Sequence, residues 1–237
     1  MTAPTFTSTL TVELIDHMGN DARIAQAARV STIAAASLAE HSGDNNGLIG
    51  YLMRDRHGSP FEHVTFTFYV HAPIFVFREF MRHRIASYNE ESGRYSQLAP
   101  VFYVPDENRK LTQTGKPGAY EFLHGEYPKD DRFDVLYSLG VSCQTAYTEY
   151  LRLLSLGIAR EVARMVLPVN IFSSMYVTIN ARSLMNFLSL RTKSDDSTYP
   201  SYPQREIEII AEQMETHLQR VAPVTHAAFV KRGRVAP

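Results

Sequence analysis

Charged and hydrogen-bonding side chains are concentrated between Arg78 and Ser96, where four arginines, one histidine and three glutamates occur together. An arginine guanidinium is suited to the forked recognition of a phosphate. Ser92 and Gly93 would let the backbone approach a ligand closely, and Asn89 and Glu90 could contact the polar edges of that ligand. The residue types in this stretch therefore predict a local anion-binding site.

A helix is needed to position the first part of this stretch. Pro73 suits the first turn of a helix, and we expect the helix to end near Ile85, with Arg78 and Arg82 as neighbours four residues apart. The residues that follow, 87–93, favour turns and local backbone hydrogen bonds. Cations at a helix C-terminus also complement the helix dipole, so a solvent-exposed helix end is the alternative to a ligand site.

The bulk composition limits the classes of partner. The chain has 237 residues, of which 44% are hydrophobic and 21% are charged, as in ordinary globular proteins. The formal net charge is −1 and the isoelectric point is about 6.8, so no global positive field attracts nucleic acid or membrane. A phosphate site must therefore be a local cluster of arginines.

Cys143 is the only cysteine in the sequence, which excludes intramolecular disulfides and cysteine-based zinc sites. Its neighbours follow a helical pattern, so we expect a packing role and not a nucleophile. No apolar stretch approaches the roughly 20 residues needed to span a bilayer. The segment Met1–Thr5 lacks the features of a secretory signal, so we expect a cytoplasmic protein without a membrane partner.

The periodicity of the chain predicts a mixed α/β fold with a central sheet flanked by long helices. We expect one domain over residues 1–237, with a polar surface loop over 106–131 that is rich in glycine and proline. The predicted strands are 9–15, 64–70, 101–104 and 172–179. The predicted helices are 20–40, 47–56, 133–156, 158–166, 180–191 and 204–218.

The segment 57–63 contains His57, Glu62 and His63, which raises the question of a metal site. The spacing differs from that of the helical His-Glu-x-x-His zinc site, and Pro60 interrupts it. We therefore expect no metal. Ser59 precedes this proline, where a turn would expose its hydroxyl group.

Four segments of the sequence resemble the flavin-dependent (ThyX-type) thymidylate synthases. Residues 82–95 fill every fixed position of the pattern Arg-His-Arg-x-x-Ser-x-Asn-Glu-x-Ser-x-Arg-Tyr. Residues 57–63 are similar to the family's His-x-Ser/Thr-Pro-Phe-Glu-His element. Residues 164–168 and 180–191 resemble two later blocks of the family, in the same order.

The resemblance implies a set of binding residues for the cofactor and for the substrate, deoxyuridine monophosphate (dUMP). The implied FAD-binding residues are Ser59, Arg82, His83, Arg84, Glu90, Asn180, Arg182 and Asn186. The implied dUMP-binding residues are Glu79, Arg82, Glu90, Glu91, Ser92, Gly93, Arg94, Arg164 and Arg191. Arg94 and Arg164 are the candidates for the phosphate. Arg191 is the implied catalytic residue, which polarises the uracil ring and favours loss of the N3 proton.

The resemblance also implies a reaction without an enzyme nucleophile. NADPH would reduce FAD, and 5,10-methylenetetrahydrofolate would donate the carbon that becomes the methyl group of dTMP. Ser92 is assigned to ligand binding because its motif offers no obvious base besides His83. The family is further expected to form a homotetramer with active sites between subunits.

One residue departs from the family pattern, and a non-catalytic binding protein remains as an alternative function. Glu79-Phe80 stands where members often have Gln-Trp, so the contact of residue 79 with the nucleotide is open. The sequence contains no Gly-x-Gly-x-x-Gly fingerprint, which argues against a Rossmann domain. The alternative is a non-catalytic nucleotide- or RNA-binding protein that uses the same arginine cluster, although the near-neutral charge disfavours broad polyanion binding.

Overall fold

The computed structural model describes residues 3–31, 45–116, 119–122 and 129–237, which form a mixed α/β fold as predicted. The strands are β1 (Thr5–Thr7), β2 (Thr11–Met18), β3 (Thr65–Pro73), β4 (Ser87–Glu90), β5 (Val101–Tyr103), β6 (Gln113–Lys116), β7 (Ala119–Phe122) and β8 (Phe172–Asn180). The helices are α1 (Asp21–Arg29), α2 (Asn45–Arg54), α3 (Ile74–Phe80), α4 (Lys129–Ser155), α5 (Arg160–Ala163), α6 (Ala181–Arg191), α7 (Arg205–Val221) and α8 (Pro223–Lys231). None of these helices is long and apolar enough to cross a bilayer.

The largest sheet has four strands in the order β2-β3-β8-β4. Two smaller sheets pair β1 with β5 in parallel and β6 with β7 in antiparallel orientation. The chain divides into two compact units, each built from separate segments. Unit 1 contains Met1–Leu10, His71–Phe80 and Glu90–Met175, and unit 2 contains Thr11–Val70, Met81–Asn89 and Tyr176–Pro237. The assignment of 1–237 to a single domain stays a prediction.

The core of unit 2 lies between its strands and α7. Burial alternates along β3, where Phe66, Phe68 and Val70 are fully buried, because successive side chains of a strand point to opposite faces. The apolar residues of α7 recur at helical spacing and give it one buried face. Gln213 of this helix accepts a hydrogen bond from the main-chain N–H of Val12 at 3.0 Å, which fixes α7 against β2.

The core of unit 1 forms around the inner face of α4. Cys143, Tyr147 and Tyr150 lie three and four residues apart and are buried together with Phe102 of β5. The Tyr147 hydroxyl donates a hydrogen bond to the main-chain oxygen of Leu98 at 3.1 Å. The predicted packing role of Cys143 is confirmed by this burial.

The start of α1 is joined to α8 by one carboxylate. Asn20 caps α1 by accepting from the N–H of Ala22, as its position in the sequence predicts. Asp21 accepts from the main-chain N–H of Val224 at 2.9 Å, and from the N–H and hydroxyl of Thr225 at 2.9 and 2.7 Å. Asp21 therefore satisfies the N-terminal donors of α8, which have no partner within their own helix.

Replacing Asp21 with alanine should lower the free energy of unfolding by about 2 kcal/mol, because it removes a cap and leaves donors of α8 without their acceptor. Urea denaturation measures this change. Asp16→Ala is the matched control, since Asp16 is exposed and its carboxylate accepts only from its neighbour His17 among the hydrogen bonds identified for it. Equal stability of the two variants would contradict this role of Asp21.

The helix preceding the arginine-rich stretch is shorter than predicted. It ends at Phe80 and not near Ile85, so Arg78 and Arg82 do not share a helix face. Residues 87–90, expected to form turns, instead form β4 next to β8. Strand pairing in the sheet outweighs the local turn preferences of these residues. The helix must therefore end early enough for the chain to reach the sheet.

One other prediction is corrected by the structure, and one helix was not predicted. The segment 106–131 is not a continuous loop, because β6 and β7 form a hairpin with Lys116 opposite Ala119 and α4 begins at Lys129. Helix α8 was not predicted, although Pro223 suits a first helical turn. Part of the helix predicted over 20–40 falls at 32–40, outside the described residues.

Candidate active site

Unit 2 contains a cavity of about 550 Å³, a size typical of small-molecule sites. Six residues predicted from the sequence line it: Arg82, His83, Arg84, Arg182, Asn186 and Arg191. Eight further residues complete the lining: Arg56, Glu62, Ile85, Ile179, Ser183, Leu190, Ala236 and Pro237. The structure thus brings together the first half of the arginine-rich stretch and the block carried by α6.

The cavity is strongly positive, because five arginines and one glutamate line it. Glu62 pairs with Arg182, with 2.6 Å between Oε1 and Nη1, and both side chains are nearly half exposed. An exposed pair of this kind is weak, so a ligand phosphate could replace Glu62 as the partner of Arg182. Ile179 and Leu190 provide apolar surface beside the cations. The lining therefore suits an anionic ligand that also carries an apolar ring.

Helix α6 presents three of the lining residues on one face. Arg182, Asn186 and Leu190 are spaced four residues apart, on the side opposite the buried Leu184 and Phe187. Asn186 is exposed and lines the cavity. The apolar neighbours point to the core because the helix turns by about 100° per residue.

Arg191, the last residue of α6, is bound to His83. Its Nε donates a hydrogen bond to His83 Nε2 at 3.0 Å, which requires an unprotonated Nε2 on the histidine. The His83 ring also packs edge-on against Phe187, with ring centroids 4.8 Å apart. Burial and the nearby Arg191 charge lower the pKa of His83 to about 4. His83 is therefore neutral near pH 7. Its Nε2 accepts the hydrogen bond from Arg191 and so orients the Arg191 guanidinium.

A second group of predicted residues lies in unit 1. Glu90 is the last residue of β4, and Glu91, Ser92, Gly93 and Arg94 follow it. Glu91 donates its N–H to the main-chain oxygen of Ser174 at 2.8 Å. The Ser92 carbonyl accepts from the N–H groups of residues 95 and 96, and its hydroxyl accepts from the N–H of residue 94. This compact turn places the second half of the family pattern, residues 90–95, next to β8.

Two charged residues from another part of unit 1, Glu161 and Arg164, lie near this turn. Arg94 pairs with Glu161, with 2.8 Å between Nε and Oε2, and both side chains are at least half exposed. Burial raises the pKa of Glu90, while the Ser173 hydroxyl and the Arg164 charge act in the opposite direction. Arg94 and Arg164, the two phosphate candidates, are thus brought near the same turn.

Three further predicted residues belong neither to the lining of the unit 2 cavity nor to the turn after β4. Ser59 begins a 3-10 helix over Ser59–His63, and Asn180 uses its side-chain oxygen to accept from the N–H of Ser183 as the cap of α6. Glu79 is half-buried in α3, which belongs to unit 1. Their predicted ligand contacts stay predictions. No group of three His, Cys, Asp or Glu side chains within the described ranges is arranged to hold a metal ion.

Gly58 lies against the guanidinium group of Arg182. A Cβ atom built on Gly58 would collide with Nε of Arg182, which lies at the far end of a flexible side chain. A substitution here would therefore displace the cation more readily than the backbone.

Replacing Gly58 with alanine should weaken the binding of an anionic ligand in the cavity by about ten-fold, which corresponds to about 1.4 kcal/mol. The free energy of unfolding should change little, because the displaced group is a surface side chain. Titration of the ligand and urea denaturation measure the two effects. Gly50→Ala in α2 is the control, since a Cβ there meets nothing within 4 Å. Unchanged ligand affinity in Gly58→Ala would contradict the contribution of Arg182.

Eight lining residues were not named as site residues by the sequence analysis: Arg56, Glu62, Ile85, Ile179, Ser183, Leu190, Ala236 and Pro237. Arg56 has a left-handed backbone with φ of 60°, which is uncommon for a residue other than glycine. The sequence gives no local signal for Ala236 and Pro237, because their position depends on where α8 docks. Glu62 was considered only as a metal ligand, because its partner Arg182 lies 120 residues away and the local sequence does not indicate it.

Comparisons with known proteins agree on one family. The sequence model described as "Thymidylate synthase complementing protein" matches residues 13–224. The flavin-dependent thymidylate synthase of Tropheryma whipplei (strain TW08/27) is 56% identical over 99% of this chain and 98% of its own length. The corresponding enzyme of Streptomyces avermitilis is 55% identical over 99% and 96%.

A solved structure is similar over nearly the whole chain. The UMP/dUMP methylase PolB from Streptomyces cacaoi, bound with 5-Br UMP, is 52% identical and superposes with a TM-score of 0.91, covering 99% of this chain and 100% of that one. The same methylase has also been solved with 5-Br dUMP, with a TM-score of 0.91. The chain belongs to the thymidylate synthase complementing protein family, the family of the flavin-dependent thymidylate synthases.

Proposed function

We propose that this protein is a flavin-dependent thymidylate synthase that methylates dUMP to dTMP, with 5,10-methylenetetrahydrofolate as the carbon donor and NADPH as the reductant of FAD. The observation that carries this proposal is the cavity of unit 2, whose five arginines come from the signature, from α6 and from Arg56. The identity of 55–56% with named flavin-dependent thymidylate synthases over nearly the full length supports the same function.

The residues of the cavity fit FAD by their chemistry. A diphosphate needs several fixed cationic donors, and the proposed donors are Arg82, Arg84 and Arg182. The flavin ring needs apolar surface and a polar group at its edge, which Ile179 and Asn186 could provide. When bound, FAD would take a hydride from NADPH and deliver a hydride to the carbon donated by the folate.

The proposed nucleotide site uses the turn after β4. Ser92 and Gly93 would offer main-chain N–H groups to the phosphate of dUMP, and Arg94 and Arg164 would neutralise its charge. Glu161, the exposed partner of Arg94, would be displaced or shared when the phosphate binds. The proposed contacts of Glu79, Glu90 and Glu91 belong to the same nucleotide.

Arg191 is proposed to act on the uracil ring. A fixed guanidinium stabilises negative charge that develops on the ring oxygens as the N3 proton is lost. His83 holds this guanidinium in one orientation, and the neutral state of His83 avoids a second positive charge beside it. The combined effect is to favour the ring anion, which makes C5 more nucleophilic.

We further propose a homotetramer in which neighbouring subunits complete each active site. One observation that supports an association surface is the exposed face of α4, where Phe133 and Tyr137 are 67% and 63% exposed and stack with centroids 6.1 Å apart. Large apolar side chains grouped on a surface commonly mark protein contacts. Light scattering after size-exclusion chromatography tests this assembly, and a monomer in solution would contradict it.

The cofactor and the substrate can be tested on the purified protein. We expect a flavin absorption band that bleaches when NADPH is added without oxygen, and dTMP formation only when dUMP and 5,10-methylenetetrahydrofolate are also present. UMP in parallel with dUMP tests the sugar preference. Protein that stays colourless after incubation with FAD would contradict the proposal and favour a non-catalytic nucleotide- or RNA-binding protein.

Replacing Cys143 with alanine should leave the rate of dTMP formation within about two-fold of the wild-type value. The thiol is buried beside Asn170, and burial raises its pKa, so it is a poor thiolate nucleophile. Initial rates measure this, with Ser142→Ala on the exposed side of α4 as the control. A folded Cys143→Ala variant without activity would show that the reaction needs the thiol.

A further inference from the structure

The chain after α8 returns to the cavity of unit 2. Ala236 and Pro237 line the cavity, and Pro237 is buried although it follows an exposed helix end. The main-chain oxygen of Pro237 accepts a hydrogen bond from Nε of Arg182 at 2.7 Å. The segment 235–237 therefore contacts one of the cations proposed to bind the cofactor.

A buried arginine holds this segment in place. Arg234 is 7% exposed and forms a forked ion pair with Glu215 of α7, with Nη1 and Nη2 at 2.8 and 2.6 Å from the two carboxylate oxygens. Its guanidinium also lies 5.1 Å from the centre of the Phe229 ring. His226 binds the same carboxylate at 2.8 Å. The carboxylate is thus hydrogen-bonded by two residues from α8 and the chain that follows it.

The backbone turns at residues 233 and 234, shortly after the end of α8. Gly233 and Arg234 both have left-handed φ values, of 68° and 57°. A Cβ atom on Gly233 would collide with Thr198, whose N–H donates to the Gly233 carbonyl at 2.9 Å. The glycine therefore allows the chain to turn sharply after α8 and to run back toward the cavity.

The same arginine reaches the end of α6. Nη2 of Arg234 donates to the hydroxyl of Thr192 at 2.7 Å, and Thr192 directly follows Arg191. The Thr192 hydroxyl in turn donates to the main-chain oxygen of Leu188 at 2.7 Å, which closes the last turn of α6. Arg234 therefore contacts the residue next to the proposed catalytic arginine and also fixes the segment at the cavity wall.

We propose that residues 235–237 are a binding element for FAD, and that Arg234 is the positioning residue that holds this element and the end of α6 together. The inference rests on the proposed function, because it takes FAD as the ligand of this cavity. The segment would contribute apolar contact through Ala236 and Pro237, and it would fix the orientation of Arg182 toward the FAD phosphates. Arg234 itself does not touch the ligand.

The first test removes residues 235–237, which line the cavity, and keeps Arg234, which holds them in place. Deletion of residues 235–237 in the full enzyme should raise the FAD dissociation constant about ten-fold, measured by quenching of flavin fluorescence, while the melting temperature stays close to that of wild type. Arg232→Ala, which removes an exposed cation two residues before Arg234, should leave the FAD dissociation constant unchanged. Unchanged FAD affinity in the deletion variant would overturn the inference.

A second variant covers the case in which the deletion unfolds the protein. Ala236→Phe keeps the Pro237 main chain and adds bulk at the cavity wall, so it should also raise the FAD dissociation constant. An Ala236→Phe protein that folds and binds FAD like wild type would overturn the inference. Wild-type protein that binds no FAD would instead overturn the proposed function, and the inference with it.

The positioning role of Arg234 is separated from a purely structural role by a double variant. Arg234→Met with Glu215→Met removes both buried charges, so the protein should fold. Its FAD dissociation constant should nevertheless rise about ten-fold, because Arg234 no longer holds residues 235–237 and Thr192 together. Recovery of both stability and FAD affinity in this double variant would show that Arg234 serves stability only.

Discussion

Replacing Arg191 with alanine should lower kcat for dTMP formation by on the order of 10²–10³-fold, the loss seen when a fixed donor to a developing anion is removed. Arg191 lines the cavity and its orientation is fixed by His83 at 3.0 Å. A guanidinium keeps its charge in any plausible site, so the lost stabilisation cannot be restored by protonation of a neighbouring group.

The Arg191 prediction has a matched control and a specific readout. Arg152→Ala also removes an arginine from the last turn of a helix, but the Arg152 side chain is 56% exposed and pairs with Glu149. Its activity should stay near that of wild type. FAD binding and anaerobic reduction by NADPH should persist in Arg191→Ala, so that the defect lies in the methyl transfer. Near-normal dTMP formation in Arg191→Ala would remove the residue from its proposed role.

Replacing Glu215 with methionine should lower the free energy of unfolding by about 3–5 kcal/mol, because it leaves the buried Arg234 charge without its carboxylate. Burial alone would raise the pKa of Glu215, but hydrogen bonds from His226 and Arg234 and their charges lower it to about 2. In the folded protein, the ionised carboxylate of Glu215 is therefore strongly favoured over its protonated form.

Denaturation of Glu215→Met should be compared with that of Glu212→Met. Glu212 lies on the same helix, but its side chain is 50% exposed and pairs with Arg205, so its loss should cost less than about 1 kcal/mol. The double variant of Glu215 and Arg234 should recover much of the lost stability. A Glu215→Met protein as stable as Glu212→Met would show that the buried pair contributes nothing.

The lowered pKa of Glu215 also gives this prediction a pH dependence. The pKa in the folded protein, about 2, lies below the ordinary value of 4.5. The unfolded chain therefore binds a proton first as the pH falls, and stability rises with pH in this range. The contribution of Glu215 should be fully present above pH 4.5 and should be lost as the pH falls toward 2, whereas Glu215→Met should lack this change.

Long elements with a clear period were predictable from the sequence, whereas elements that depend on distant partners were not. Helix α7 shows an apolar stripe, and Asn20 and Asn180 mark the starts of α1 and α6 as caps. β4 was not predicted because Ser87–Glu90 favours turns locally and becomes a strand only beside β8. Its pairing partner lies more than 80 residues away in the sequence.

The candidate site shows the same division. The arginines of residues 82–95 and of α6 could be named because those two segments resemble sequence blocks of the flavin-dependent thymidylate synthases. Ala236 and Pro237 could not be named, because an alanine and a proline carry no chemical signal and their place at the cavity depends on contacts with residues far away in the sequence, such as that of Pro237 with Arg182. Arg234 itself is an unremarkable arginine in the sequence, and its importance follows from its burial against Glu215.

The carboxylate of Asp21 has a consequence for the order in which the chain can fold. Asp21 and Thr225 are 204 residues apart in sequence, yet they form a hydrogen-bonded cap between α1 and α8. During synthesis at about 5–20 residues per second, Asp21 would wait roughly 10–40 seconds for this partner. Helix α1, made among the first elements, therefore gains its final contact only after residue 225 has left the ribosome.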